Sequence, residues 1–99
     1  MPAYIVFIRE KTTNQAELDV YSGLVPKTME GVNLKVLVGY GDQKVVEGPP
    51  TEGVVVLEFP SFKEAEDYYN SPRYQAIIQH RVKGAVYSAV IVEGYKPKH

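Results

Sequence analysis

GVVVLEFPSFKE, residues 53–64, is the stretch that decides the fold. Gly53 to Phe59 is β-branched and apolar on both parities and too short for a helix, so it predicts a strand. Pro60 stops it. Ser61 and Glu64 then stand at the S-x-x-E spacing of a capping box, in which the serine hydroxyl accepts from the amide three residues on. A strand thus ends and a helix begins within a few residues. The helix extends to about Asn70, where Ser71-Pro72 restarts it. Serine serves as the second cap, and proline is tolerated at the first helical position because the N–H it lacks has no intrahelical partner there. Tyr74, Ile77, Ile78 and Arg81 recur at helical spacing up to Gly84, and Ala85 to Glu93 predicts a closing strand.

Upstream, Ala3 to Arg9 (AYIVFIR) reads as a first strand. Asn14 and Glu17 repeat the capping spacing and open a helix to about Glu30, carrying Tyr21, Leu24 and Val25 and stopped by Gly31. Pro26 lies inside it and is expected to kink or split it. Lys35 to Tyr40 predicts a second strand. After the Gly41-Asp42 turn a short edge run follows, Lys44 to Glu47, ended by Gly48-Pro49-Pro50. The order is βαββαβ, the α+β ferredoxin-like motif: a four-stranded antiparallel sheet with two helical regions on one face. Residues 1–99 are expected to form one domain.

Two helical regions cover only one face of such a sheet, and a wet face should alternate apolar with polar residues. Ile5-Val6-Phe7-Ile8, Val54-Val55-Val56-Leu57 and Ala89-Val90-Ile91-Val92 do not alternate. The open face would expose a patch of at least several hundred Å². Two copies packing these faces together, as an isologous dimer, would bury it.

Composition narrows the function classes. The chain is 44% hydrophobic and 23% charged, with net charge −1 and no cysteine. Disulfides, thiolate chemistry and cysteine-based zinc sites are excluded. Basic residues cluster late, at Arg73, Arg81, Lys83, Lys96 and Lys98, but a net charge of −1 gives no long-range attraction for nucleic acid or an anionic membrane. No apolar run approaches the ~20 residues of a membrane-spanning helix, and the N-terminus reads directly into a strand without a signal peptide. A cytoplasmic protein is expected.

RNA-recognition domains share the βαββαβ order, but their third strand carries stacking aromatics in the pattern K/R-G-F/Y-G/A-F-V-x-F/Y. Here those positions fall on Val54 and Val56, and the first is Glu52, so RNA binding is not expected. If Val54 and Val56 look out of the open face, so does Glu58, while Val55, Leu57 and Phe59 pack on the helices. A carboxylate ending an apolar strand face is a candidate acid or base; a structural pairing with Arg81 or a tyrosine is the alternative. His99 is terminal. His80 stands on the last helical turn, where a solvated cation suits the helix dipole, and no spacing resembles a histidine metal site. Gly39-Tyr40-Gly41 reads as a turn. Of eight tyrosines, Tyr68, Tyr69 and Tyr74 surround the helix break; such residues suit a pocket lining or plain packing.

The stretch Glu58-Phe59-Pro60-Ser61, followed by Ala65, by Tyr68-Tyr69-Asn70-Ser71-Pro72-Arg73-Tyr74-Gln75 and by Arg81, resembles the signature of domain of unknown function 1330 (DUF1330). Val92-Glu93-Gly94, Glu47-Gly48, Tyr21 and Pro26 fit it too. The resemblance spans nearly the whole chain and implies the dimeric α/β-barrel superfamily. That superfamily includes muconolactone isomerases, cofactor-free monooxygenases and stress-responsive barrel proteins. The chain departs from the family pattern at three places. A Gly-Gly-Arg run before the second strand is here Asn33-Leu34-Lys35, an arginine before a Gly-Gly turn gives way to Gly39-Tyr40-Gly41, and an Asp-Pro opening the first helix is Thr13-Asn14. An anion contact made by that strand-two arginine in relatives would be lost here.

The expectation is a homodimer that binds a small organic molecule between sheet and helices. Glu58 is its candidate acid/base, Arg81 its counter-charge or anion anchor, Tyr69 and Tyr74 its pocket walls, and His80 a further ligand contact. No cofactor or metal is expected; of the histidines only His80 could serve a haem as axial ligand. The alternatives are a module whose apolar face serves assembly alone, or an enzyme of the isomerase or cofactor-free monooxygenase kind.

Overall fold

A computed structural model describes residues 1–95, so Lys96, Lys98 and His99 lie outside it. The elements run β1 (Ala3–Thr12), α1 (Gln15–Met29), β2 (Lys35–Gly39), β3 (Gly53–Phe59), α2 (Phe62–Tyr69), α3 (Pro72–Gly84) and β4 (Ala85–Glu93). The strands form one antiparallel sheet in the order β2-β3-β1-β4, the ferredoxin-like arrangement. Among the described residues no helix is long and apolar enough to cross a membrane.

All three expected caps form. The Glu17 amide donates to Asn14 Oδ1, the Glu64 amide to Ser61 Oγ, and the Tyr74 amide to Ser71 Oγ. Each satisfies one of the amides that a helix start leaves without a partner. Gly84 ends α3 against the start of α1, its carbonyl accepting from the amides of Thr13 and Asn14 at 2.8 and 2.9 Å. A Cβ at Gly84 would lie 2.8 Å from two Leu18 side-chain carbons, so only glycine lets the helices approach this closely.

Two sequence expectations are corrected. Pro26 does not split α1, which is continuous from Gln15 to Met29. The proline cannot donate to the Ser22 carbonyl, but its own φ is helical, and hydroxyl contacts tie down α1 on either side of it: Tyr21 with Tyr74, and Thr28 with Tyr68. The Lys44–Glu47 run forms no strand; residues 40–52 are a loop. Tyr40, at φ +59°, turns the chain across toward β3, its amide donating to the Val54 carbonyl, instead of folding back along the outer edge of β2.

Strand parity sorts the two faces. Ala3, Ile5 and Phe7 of β1 and Leu57 and Phe59 of β3 are buried under the helices with Ala65, Tyr68, Tyr74 and Ile77. Fully burying one such large apolar side chain is worth about 1.5–3 kcal/mol. The alternate positions Tyr4, Val6 and Ile8 register on Glu58, Val56 and Val54 and make up the uncovered face, joined on β4 by Val92, Val90 and Ser88. Val90 there is 55% exposed.

Candidate functional site

The first helix rests chiefly against α3 and hardly touches the sheet. That choice of neighbour leaves a gap over the β2–β3 half of the helix-covered face, a cavity of about 260 Å³. Tyr21, Val25 and Met29, at i, i+4 and i+8, place one stripe of α1 along it, with Ser22 and Pro26 beside them. The sheet contributes Phe7, Val55, Leu57 and Tyr87, β2 and the residue that follows it contribute Val36 and Tyr40, and Tyr68 and Tyr74 close the inner end. Five tyrosines thus line a mostly apolar space, and no carboxylate does.

Their hydroxyls are paired. Tyr21 and Tyr74 meet at 2.7 Å, Tyr40 and Tyr87 at 2.6 Å, and Tyr68 reaches Thr28 Oγ1 at 2.7 Å. Burial, more than any other influence, pushes Tyr21, Tyr40, Tyr68 and Tyr74 above the usual phenol range, because a phenolate is poorly solvated there. At neutral pH these groups are phenols that keep their protons for hydrogen bonding.

Two arginines stand behind the rings. The Arg9 guanidinium lies 4.9 Å over the Tyr40 ring and pairs with Glu52 at 3.2 Å. Arg81, only 6% exposed, lies 5.4 Å from the Phe7 ring and 5.0 Å from the Tyr87 ring, and its Nε is buried with no partner. Its charge also favours the ionised form of the Tyr74 hydroxyl, against the dominant effect of burial. Tyr40 holds the left-handed conformation, which costs a non-glycine residue about 1–2 kcal/mol. Its ring fills the space where a side chain at position 53 would stand, so Gly53 is what lets it cross the sheet to Tyr87.

The five residues singled out from sequence do not share one site. Tyr74 lines the cavity and Arg81 stacks on two of its walls. Tyr69 sits behind, its ring 5.5 Å from that of Tyr74, and faces a separate shallow cleft against β4. His80 Nδ1 is 2.6 Å from Glu17 Oε2, so it links α3 to α1 and does not line the cavity. Glu58 lies on the uncovered face of the sheet, half-buried, in register with Tyr4 on one side and Lys35 on the other. The sheet itself separates it from Arg81, so neither a joint acid–base site nor the alternative Glu58–Arg81 ion pair exists. The period of two that puts Val54 and Val56 outward does the same for Glu58. Tyr68, like Tyr74, is singled out by the sequence as a possible pocket lining, whereas Tyr21, Tyr40 and Tyr87 were missed because their hydroxyl partners are 47 to 53 residues away in sequence. The bare abundance of tyrosine was the one available signal. Among the described residues no cluster of three histidines or carboxylates is placed to hold a metal ion.

The sequence model of the family described as "Domain of unknown function (DUF1330)" matches residues 2–95. No curated protein matches the chain significantly. Solved structures share its fold. One is a protein of unknown function from Rhodopseudomonas palustris, with TM-score 0.70 and 18% identity over 97% of this chain and 84% of that one. Another is a dimeric protein of unknown function with a ferredoxin-like fold from Bacteroides fragilis, with TM-score 0.60 and 14% identity over 94% and 96%. A third is SnoaB, a cofactor-independent oxygenase from Streptomyces nogalater, with TM-score 0.60 and 7% identity over 97% and 95%. At these identities the likeness is one of fold.

Proposed function

The chain belongs to the DUF1330 family, and from that premise we propose that it binds a small organic molecule in the tyrosine-lined cavity while paired with a second copy through its open sheet face. The observation that carries the reading is the cavity itself. It combines an apolar wall with a few fixed hydroxyls, the usual make-up of a small-molecule site. Its volume is just under the ~300 Å³ at which ligand pockets commonly begin, which suits a one-ring compound. Tyr74 and Arg81 keep the roles of wall and anchor in this reading. Tyr69 supports Tyr74 from behind, and His80 braces α1, one wall of the cavity.

The second half of the proposal rests on the row of Val6, Ile8, Val54, Val56, Val90 and Val92, an apolar surface that soluble monomers seldom leave in water. The dimeric relative from Bacteroides fragilis supports it. Glu58 and Lys35 lie together at one end of this row, and we assign them to the border of the dimer face instead of to catalysis.

Indole titrated into the labelled protein tests the cavity by NMR. Shifts are expected to concentrate on Tyr21, Val55 and Leu57 and to vanish in Val55→Trp, which fills the space. Shifts scattered over the surface, or unchanged in that variant, would overturn the reading and leave assembly as the role. Sedimentation tests the dimer: Val90→Glu is expected to give monomers at concentrations where the parent protein is paired, and a parent that sediments as a monomer would refute it.

A further inference from the structure

Resting on the cavity reading, we infer that the ligand is a small planar anion, a carboxylate, enolate or phenolate carried on one ring, held by phenol protons in the field of Arg81. Arg81 is the unusual group. A guanidinium cannot give up its proton inside a protein, so burial does not neutralise it. Buried arginines normally meet a carboxylate, and even the half-buried Arg9 meets Glu52, at 3.2 Å. Among the described residues Arg81 makes no ion pair, and its Nε has no partner. The faces of Phe7 and Tyr87 are what compensates its charge, and both rings are also walls of the cavity. A buried charge met only by ring faces and the nearby Tyr74 hydroxyl, with no carboxylate beside it, remains short of a counter-ion.

The hydroxyls point to the same ligand chemistry. Thr28 Oγ1 donates to the Val25 carbonyl, so in its contact with Tyr68 the tyrosine must be the donor, which commits that proton. In the Tyr21–Tyr74 and Tyr40–Tyr87 pairs one phenol donates and the other accepts, and the accepting phenol keeps its own O–H. The cavity therefore has two phenol protons to spare, with no carboxylate on its wall to take them or to repel an anion. Spare donors near a positive charge that lacks a carboxylate partner, within apolar walls, select an anion over its neutral counterpart. Hydrogen bonds to ionised acceptors are roughly twice as strong as neutral ones.

Benzoate and its uncharged isostere benzamide, titrated at neutral pH by NMR or calorimetry, test this. Benzoate is expected to bind at least about tenfold more tightly, with shifts at Tyr21 and Tyr87. Arg81→Gln is expected to remove the preference, and Arg81→Lys, which restores the charge, to recover part of it. Equal or tighter binding of benzamide, or a preference that survives in Arg81→Gln, overturns the inference. Should Arg81→Gln fail to fold, the ratio measured on the parent protein decides. If benzamide and indole occupy the cavity while benzoate has no advantage, the binding site stands and only its anionic character falls. If none of the three enters, both fall together.

Discussion

Replacing Gly53 by alanine should destabilise the protein, and the reason is confined to one neighbour. The new methyl would occupy the position of the Tyr40 ring, which would have to swing away. Its departure breaks the hydroxyl contact to Tyr87, about 0.5–1.5 kcal/mol, and the stacking under Arg9, about 0.5–1 kcal/mol at a partly exposed site. Two gains oppose the loss. Alanine is favoured over glycine inside a strand by roughly 0.5–1 kcal/mol, and a released Tyr40 sheds part of its left-handed strain. The balance is a net cost of about 1 kcal/mol. In a Tyr40→Ala background the collision partner is gone, and the same substitution should become stabilising by about 0.5 kcal/mol. The coupling between the two sites is thus about 1.5 kcal/mol, large enough for a double-mutant cycle from urea unfolding at one fixed protein concentration. An equal cost of Gly53→Ala in both backgrounds would refute the argument that Gly53 exists to admit the Tyr40 ring.

Gly84→Ala should cost about 2 kcal/mol or more, because the methyl meets Leu18 at its backbone nitrogen as well as its side chain and cannot be relieved by a rotamer change; a thermal midpoint within a degree of the parent would contradict this. Alkaline pH should weaken the fold. The pKa values of Tyr21 and Tyr74 are raised in the folded state, so the stability they confer is intact below the unfolded phenol pKa of ~10 and is lost as pH rises above it. Each phenol that stays protonated only when folded removes about 1.4 kcal/mol per pH unit there. Absorbance at the phenolate band should show these tyrosines ionising together with unfolding, and a complete phenolate titration in a still-folded protein near pH 10 would speak against their burial.

The elements were legible where the signals are local. The caps at Asn14, Ser61 and Ser71 and the bounds of β3 and β4 follow from residues within a turn of one another. The same residues misled where a distant partner decides. Lys44–Glu47 has strand-like valines, but Tyr40 has already carried the chain toward β3. Pro26 reads as a breaker, and the contacts of Tyr21 and Thr28 hold the helix through it. For the site, parity placed Glu58 correctly on the open face, yet that placement removes it from the cavity. Tyr74 and Arg81 were recognisable because helical spacing turns both inward. The pairing of Tyr40 with Tyr87 spans the width of the sheet, and no spacing rule reports it.

The irregular register of β2 between Val36 and Val38 has a further consequence. This strand is one of the sheet's two borders, β4 being the other, and a straight border offers evenly spaced amides and carbonyls on which another chain can add itself. The extra residue at Leu37 breaks that spacing and twists the border away. Growth by addition at this edge is thereby discouraged, whereas in the dimer proposed above contact through the flat face is used up once two copies have met. The bulge and the proposed face-to-face pairing thus favour the same outcome, assembly that closes, and deleting Leu37 is expected to make the β2 edge a better template for strand addition.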